Sequence, residues 1–568
     1  MRLLSLLVAM ILCACQLYAQ DTVYQSDTNT SDTIATMVDS SQEANPELTL
    51  GNTTPLPYEP HHGFDVNFIK SRTNPNTKPY TFLQDQTWVG IPLFAAGLLA
   101  KGEKKGFRQN YKNPNTKIRL IKYNFHNEID NYTQYVPLAL SIGLHMGGVE
   151  GRSDWPRFWA SAATSAAIMA GFVNGIKYTT SEMRPDGSTR NSWPSGHTAT
   201  AFMAATILHK EYGLTRSPWY SVGAYTLATA TGVMRVLNNR HWVSDVLSGA
   251  GIGILSTELG YGLMDLLFKN RGLLRNDLNE YPDMRTQPSF FAIEMGAGLG
   301  NRYLNLPPFQ FNIPKDFTDG EEINNTEPLH LKFRAATVVG VEGAWFFNPH
   351  VGVGGRLRVK ATPIDGWALL ANQEQNDIEQ FFKDPLVAST AQDIFLTVES
   401  NHLTEFAADA GVYFNLPLSS RFALGSKLLF GRSIMDDIDI NATYVGKQFA
   451  FNMFGDDDSE PFIPTDQIVT YEWDYIDIGA SNSFKLGTGI SLTYAHKNAF
   501  IWRIFCDYDY CRKTFTASYH PLGLFQGLSP DMVDMAGIYG WDMTKPSVSS
   551  ARKSLHQWVF GGALCLSF

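Results

Sequence analysis

From residue 288 to the C-terminus, apolar and polar residues alternate along eight stretches: 289–300, 332–347, 350–361, 403–414, 421–432, 483–496, 499–510 and 555–568. Alternation of this kind puts successive side chains on opposite faces of a β-strand. In the last stretch Trp558, Phe560, Leu564, Leu566 and Phe568 share one face. In the third, Val351, Val353, Leu357 and Val359 share a face, while Arg356, Arg358 and Lys360 take the other. The gaps alternate as well. Asn348-Pro349-His350, Asn415 to Ser420 and Lys497-Asn498 are short, whereas 301–331, 362–402, 433–482 and 511–554 are long.

Barrels that cross an outer membrane have this property, with short periplasmic turns and long external loops. The pattern therefore predicts a small antiparallel barrel of about eight strands over residues 288–568, with long external loops. A soluble β-sandwich would not need an apolar face on every strand with charges opposite. The terminal Phe568 resembles the C-terminal assembly signal of outer-membrane proteins. Inward candidates are Glu294, Glu342, Arg356, Arg358, Lys360, Asp409, Lys427, Lys485, Arg503 and Asp507. Mixed charges in so narrow a barrel should pair and fill it, giving an anchor and not a pore. An even number of crossings returns the chain to its starting side, so whatever precedes the barrel is expected in the periplasm.

The first 19 residues read as an export signal: Arg2, an apolar run from Leu3 to Cys15, and a cleavage site after Ala19. Leu12-Cys13-Ala14-Cys15 loosely resembles a lipoprotein box, and lipidation at Cys15 is the alternative. Residues 20–85 are rich in Ser, Thr, Asn, Asp and Pro and read as a flexible periplasmic linker. Over 86–270 the period turns helical, with apolar stretches at 88–100, 133–148, 157–177, 198–212, 218–234 and 244–268. Crossing a membrane takes about 20 strongly apolar residues. These runs are short or diluted by polar residues, such as Glu258 and Asp265 in the last. They predict a bundle beside a membrane. Residues 271–287 are a polar linker. The fold class is thus α + β multidomain. A net charge of -10 leaves no general nucleic-acid footprint, and 13% aromatic residues with 47 glycines suit a membrane-facing, β-rich part. Beyond the leader the cysteines are Cys506, Cys511 and Cys565, without zinc spacing. Cys506 and Cys511 have opposite strand parity and are not expected to pair. Nothing in the sequence points to an oligomeric state.

Three polar clusters punctuate the helical part: Lys177 to Pro185, Pro194-Ser195-Gly196-His197, and Arg235 to Asp245. Lys177, Arg184 and Arg235 can neutralise a tetrahedral oxyanion, arginine with forked donors. Ser195 and Gly196 stand where an Ala-rich helix begins, and backbone N–H groups there favour anions. His241 and Asp245 are four apart and share a helical face, so Asp245 can hold Nδ1 and leave Nε2 as nucleophile. His197 is then the acid that protonates the leaving oxygen.

These clusters resemble the signature of the type-2 phosphatidic acid phosphatase and vanadium haloperoxidase superfamily: K-x6-R-P, then P-S-G-H, then S-R-x5-H-x3-D. Lys177, Arg184 and Pro185, then Pro194 to His197, then Arg235, His241 and Asp245 match in order and spacing. The family serine before the last arginine is Met234 here. The resemblance implies an all-α bundle of six helices and a phosphohistidine on His241. It also implies that Lys177, Arg184, Ser195, Gly196 and Arg235 hold the phosphate. The expected substrate is a phosphomonoester or pyrophosphate of an envelope lipid, such as lipid A or a phosphatidyl phosphate. No metal or cofactor is required; vanadate would inhibit, or serve as cofactor in a haloperoxidase. The rival readings are a broad acid phosphatase, an undecaprenyl pyrophosphate phosphatase, that haloperoxidase, and a non-catalytic outer-membrane structural protein.

Overall fold

The computed structural model describes residues 73–77, 86–102, 128–275, 282–307, 330–365, 395–400, 402–451, 462–538 and 540–568. The leader and most of the 20–85 linker lie outside the described residues. Helices come first: α1 (Gly90–Ala100), α2 (Asp130–Thr133), α3 (Val136–Met146), α4 (Trp155–Thr180), α5 (Gly196–Leu208), α6 (Pro218–Leu237) and α7 (Val243–Phe268). A π-turn at His209–Gly213 prolongs α5. Starts are set by local chemistry: Asp154 caps α4 by accepting from Arg157 N, and Ser217 caps α6 ahead of Pro218. α7 lies centrally, buried on nearly every side. It meets α5 closely because Gly253 has no side chain; a Cβ there would come within 2.4 Å of the Ala199 carbonyl. None of the described helices is long and apolar enough to cross a membrane.

A large antiparallel sheet follows. Its strands are β1 (Phe290–Gly300), β2 (Tyr303–Asn305), β3 (His330–Phe333), β4 (Ala336–Phe346), β5 (Val351–Thr362), β6 (Ile364–Asp365) and β7 (Phe395–Ser400). Then come β8 (Leu403–Pro417), β9 (Phe422–Met435), β10 (Ile438–Phe451), β11 (Phe462–Ala480), β12 (Ser483–Ala495), β13 (Phe500–Tyr519) and β14 (Ser547–Ser567). Pairing runs β12-β9-β8-β5-β4-β1-β14-β13, and a further β12–β13 pairing closes this run into a ring.

The long segments depart from the loop reading. Residues 433–482 carry β10 and β11, and β13 and β14 continue as a paired ribbon to Tyr519↔Ser547. Near Phe515 the partner of β13 changes from β12 to β11, so β11, β10 and β7 splay from the ring as an extension. The extension has its own core of Tyr444, Trp473, Tyr475, Ile476 and Phe515. That core is why these segments are strands: apolar residues such as Ile438, Ile440 and Ala442 are buried by tertiary packing.

The inward charges pair. Arg356 reaches Asp409 at 3.0 Å, Asp507 at 3.0 Å and Asp509 at 2.7 Å, and Lys427 bridges Glu342 at 2.7 Å and Asp507 at 2.9 Å. Glu405, Asp509 and Lys513 are also buried within this network, although the sequence reading did not single them out. Cys511 is buried and Cys506 half-buried; both are free thiols, as is Cys565. Helices and ring meet at the short-turn end. Phe500 packs against His209 (ring centres 5.3 Å apart) and edge-on to Tyr225 (6.1 Å), and Trp219 packs against Phe568 (4.9 Å). His496 Nε2 donates to the Thr87 carbonyl at 3.0 Å. Thr87 and Trp88 N–H in turn donate to the Glu258 carboxylate of α7 at 3.1 and 2.8 Å.

Candidate active site

Four helix ends converge on the residues singled out in the sequence. Lys177 sits in the last turn of α4, which stops where Ser181 takes a left-handed φ of 44°. The next loop is tightly bonded: Arg184 N donates to the Thr189 carbonyl at 3.0 Å, and Ser192 N to Glu182 O at 2.9 Å. Arg184 Nε donates to Asn191 Oδ1 at 2.9 Å. A cis Trp193–Pro194 bond then delivers Ser195 to the start of α5.

Ser195 is fully buried, and its groups are engaged. Its Oγ accepts from Thr198 N at 3.4 Å as the helix cap, and its N–H donates to Asp245 O at 3.0 Å. Of the backbone donors that a helix start presents, those of Gly196 and His197 remain for an anion. Lys177 lies across from them, since a Cβ added to Gly196 would stand 3.9 Å from its Nζ. That contact is ordinary, so glycine here keeps the gap open; it does not relieve a clash.

Arg235 occupies the last turn of α6, buried, with its guanidinium 2.9 Å from Asp130 Oδ2. The chain then folds back on itself: Arg240 N and His241 N donate to the Arg235 carbonyl at 3.1 and 3.3 Å. Asn239 takes the left-handed φ of 54° that this reversal requires. The five-residue interval between Arg235 and His241 is this turn. Met234, buried beside Arg235, accepts the Asn238 N–H through its carbonyl at 2.8 Å.

His241 and Asp245 are both buried and face each other, Nδ1 to Oδ2, at 3.4 Å. That oxygen also accepts from Trp242 N at 3.1 Å and from Ser192 Oγ. Asp245 therefore satisfies the N-cap N–H of Trp242 at the start of α7 with the same atom that faces the histidine. His197 is half-buried, its Nε2 3.0 Å from Asn131 Oδ1.

The pocket is strongly cationic. Burial, and after it Arg184, lowers the Lys177 ammonium pKa. Burial and then Arg235 lower that of Arg184. His241 is held below its ordinary value by burial, against the opposing pull of Asp245. His197 is pressed down to about 4 by burial, Arg235 and His241. Each depression has the same cause, positive charge crowded out of water, and an anion would relieve all of them.

The eight residues picked from the sequence thus come to one place. Asp130, Asn131, Ser192 and Asn238 also lie there, hydrogen-bonded to Arg235, His197 or Asp245 or sharing their partners, and the sequence did not single them out. Asn238 Nδ2 shares Asp130 Oδ2 with Arg235, at 3.1 Å. Asp130 and Asn131 precede α3 and have no spacing relation to the other clusters, so only the fold reveals them.

Residues 158–268 match the model of the PAP2 superfamily. The chain is 42% identical over 220 residues to a lipid A 1-phosphatase of Porphyromonas gingivalis, an alignment covering 38% of this chain and 46% of that protein. The chain thus spans about half the length of this curated relative. Among solved structures, Aquifex aeolicus LpxE aligns at 22% identity, covering 25% of this chain and 90% of that one, with a TM-score of 0.20. The outer membrane protein OprG of Pseudomonas aeruginosa aligns at 8% identity, covering 50% and 99%, with a TM-score of 0.26. All eight candidate site residues lie inside the stretch, residues 158–268, that matches the PAP2 superfamily model.

Proposed function

We propose that this chain is a phosphatase that removes phosphate from an envelope lipid and is held in the outer membrane by its ring of strands, with the helices on the periplasmic side. One observation carries the chemistry: three cations and two histidines share one pocket, with Asp245 set behind His241 at 3.4 Å. Lys177, Arg184, Arg235 and the N–H groups of Gly196 and His197 bind the phosphoryl oxygens. Nε2 of His241 attacks phosphorus while the bond to the leaving oxygen breaks, and His197 gives that oxygen its proton. In the second step His197 takes a proton from water, whose oxygen attacks phosphorus and releases phosphate and His241.

A dianionic phosphate also resolves the low pKa of His197. Two negative charges beside Arg235 offset the repulsion that keeps the imidazole neutral, so substrate binding itself loads the acid. The mechanism asks nothing of a metal, because cationic side chains do the charge work.

The substrate class follows from the setting. A ring with charges paired inside and apolar residues outside fixes the pocket near a membrane, where lipid phosphates are concentrated. The relative named a lipid A 1-phosphatase makes lipid A the first substrate to try. The test is phosphate release from purified envelope lipids, namely lipid A, phosphatidic acid, phosphatidylglycerol phosphate and undecaprenyl pyrophosphate, beside a soluble phosphomonoester. Release from a lipid, lost in His241→Ala, is expected. Release from the soluble ester alone would refute the lipid reading, and no release would refute the phosphatase.

A further inference from the structure

Helix α1 is the sequence GIPLFAAGLLA, eleven residues without one polar side chain. Its inner face, Gly90, Leu93, Gly97 and Ala100, is buried. Its outer face is open: Ile91 is 49% exposed, Leu98 52% and Leu99 74%. The helix cannot roll to hide them. It lies flush on α7, where a Cβ at Gly97 would stand 2.3 Å from Ser248 Oγ.

The location of α1 indicates what covers this face. Val89 and Leu93 belong to one packed cluster with Phe500 and Leu566, residues of β13 and β14. Phe500 and Leu566 alternate with the inward residues Ile501, Arg503 and Cys565, so they stand on the outer wall of the ring. Elsewhere at the short-turn end that wall is bare: Phe414, Leu416, Phe422 and Leu424 are 42–56% exposed. Farther up β14, Trp558 and Phe560 are likewise open. The helices therefore cover one sector of an otherwise exposed apolar band, and Leu93 and Ala100 of α1 belong to the packed cluster that covers it.

At its other end α1 reaches the candidate site. Lys101 lies 3.4 Å from Glu182 and 4.3 Å from the centre of the Trp193 ring, directly before Pro194 and Ser195. Eleven residues span about 16 Å, roughly half the hydrocarbon thickness of a bilayer.

We propose that α1 lies in the periplasmic leaflet around the ring, its Ile91, Leu98 and Leu99 face against acyl chains. A lipid whose chains lie along α1 then has its head group at the cationic pocket. This rests on the reading that the ring is membrane-embedded, and the test separates the two. An environment-sensitive fluorophore is placed at Leu99→Cys in a Cys506→Ser chain, and in a second chain at the ring-wall position Leu428→Cys. Both full-length proteins are reconstituted in phosphatidylethanolamine–phosphatidylglycerol vesicles. The Leu99 probe should show blue-shifted emission, quenching by doxyl-labelled lipid and protection from iodide. A Leu99 probe that iodide quenches and doxyl lipid does not would overturn the proposal. The Leu428 probe then tells whether only α1 is misplaced (wall probe quenched by lipid) or the ring reading has failed too (wall probe quenched by iodide).

Discussion

Asp245→Asn isolates charge from geometry in the proposed reaction. In the wild-type site Ser192 Oγ and Trp242 N both donate to Asp245 Oδ2, the atom that also faces His241 Nδ1 at 3.4 Å. An asparagine must place its oxygen there, because two donors already point at that position. Its amide nitrogen then takes the place of Oδ1, facing Ser244 Oγ at 3.2 Å. The imidazole keeps an acceptor and its tautomer, and only the negative charge is lost. Coulomb's law at that separation with an effective dielectric of about 20 gives a ceiling of about 5 kcal/mol. Hydrogen bonds to charged groups are worth about 1.5–3 kcal/mol, and this one is long. A loss of about 2–3 kcal/mol corresponds to about 30- to 150-fold in kcat/KM. Phosphate release from the active lipid, with acid-quench trapping of the phosphohistidine, measures it. Asp245→Ala should do worse and also lower Tm, since it takes the carboxylate acceptor from four buried donors, Ser192 Oγ, Trp242 N, Ser244 Oγ and His241 Nδ1. Activity of Asp245→Asn within about threefold of wild type would refute the role assigned to the carboxylate charge.

The pH profile should lean acidic. His241 must be neutral to attack, and its lowered pKa keeps it so below the ordinary histidine range; His197 must be protonated, and its pKa is about 4 in the free protein. kcat/KM should therefore fall as pH rises from 5 to 8, and the fall should flatten for a substrate whose leaving group needs no proton. Asn131→Asp places a negative charge at the position now 3.0 Å from His197 Nε2, which raises the His197 pKa and should move the alkaline limb upward. An unchanged limb would mean that His197 is not the acid. In intact cells, added protease should spare residues 177–245, and the protein should show heat-modifiable mobility in the outer-membrane fraction. Cleavage within that stretch would place the helices outside.

The sequence alone determined what is periodic or locally spaced. Eight alternating stretches became the ring strands because the inside–outside choice of a strand is written every second residue, as with Arg356 and Arg358 inward and Leu357 outward. His241 and Asp245 were legible because four residues are one helical turn. Tertiary structure decided the rest. Ile438–Phe451 and Phe462–Ala480 are strands because their apolar side chains meet Phe515 and Ala517 of β13 and Leu524 and Leu528 beyond it, contacts that no local period encodes. Asp130 and Asn131 joined the site because α2 packs against α6, bringing a carboxylate and an amide from over a hundred and from sixty-six positions away. The low pKa of His197 likewise required burial beside Arg235, since a charge feels its neighbours in space and not along the chain.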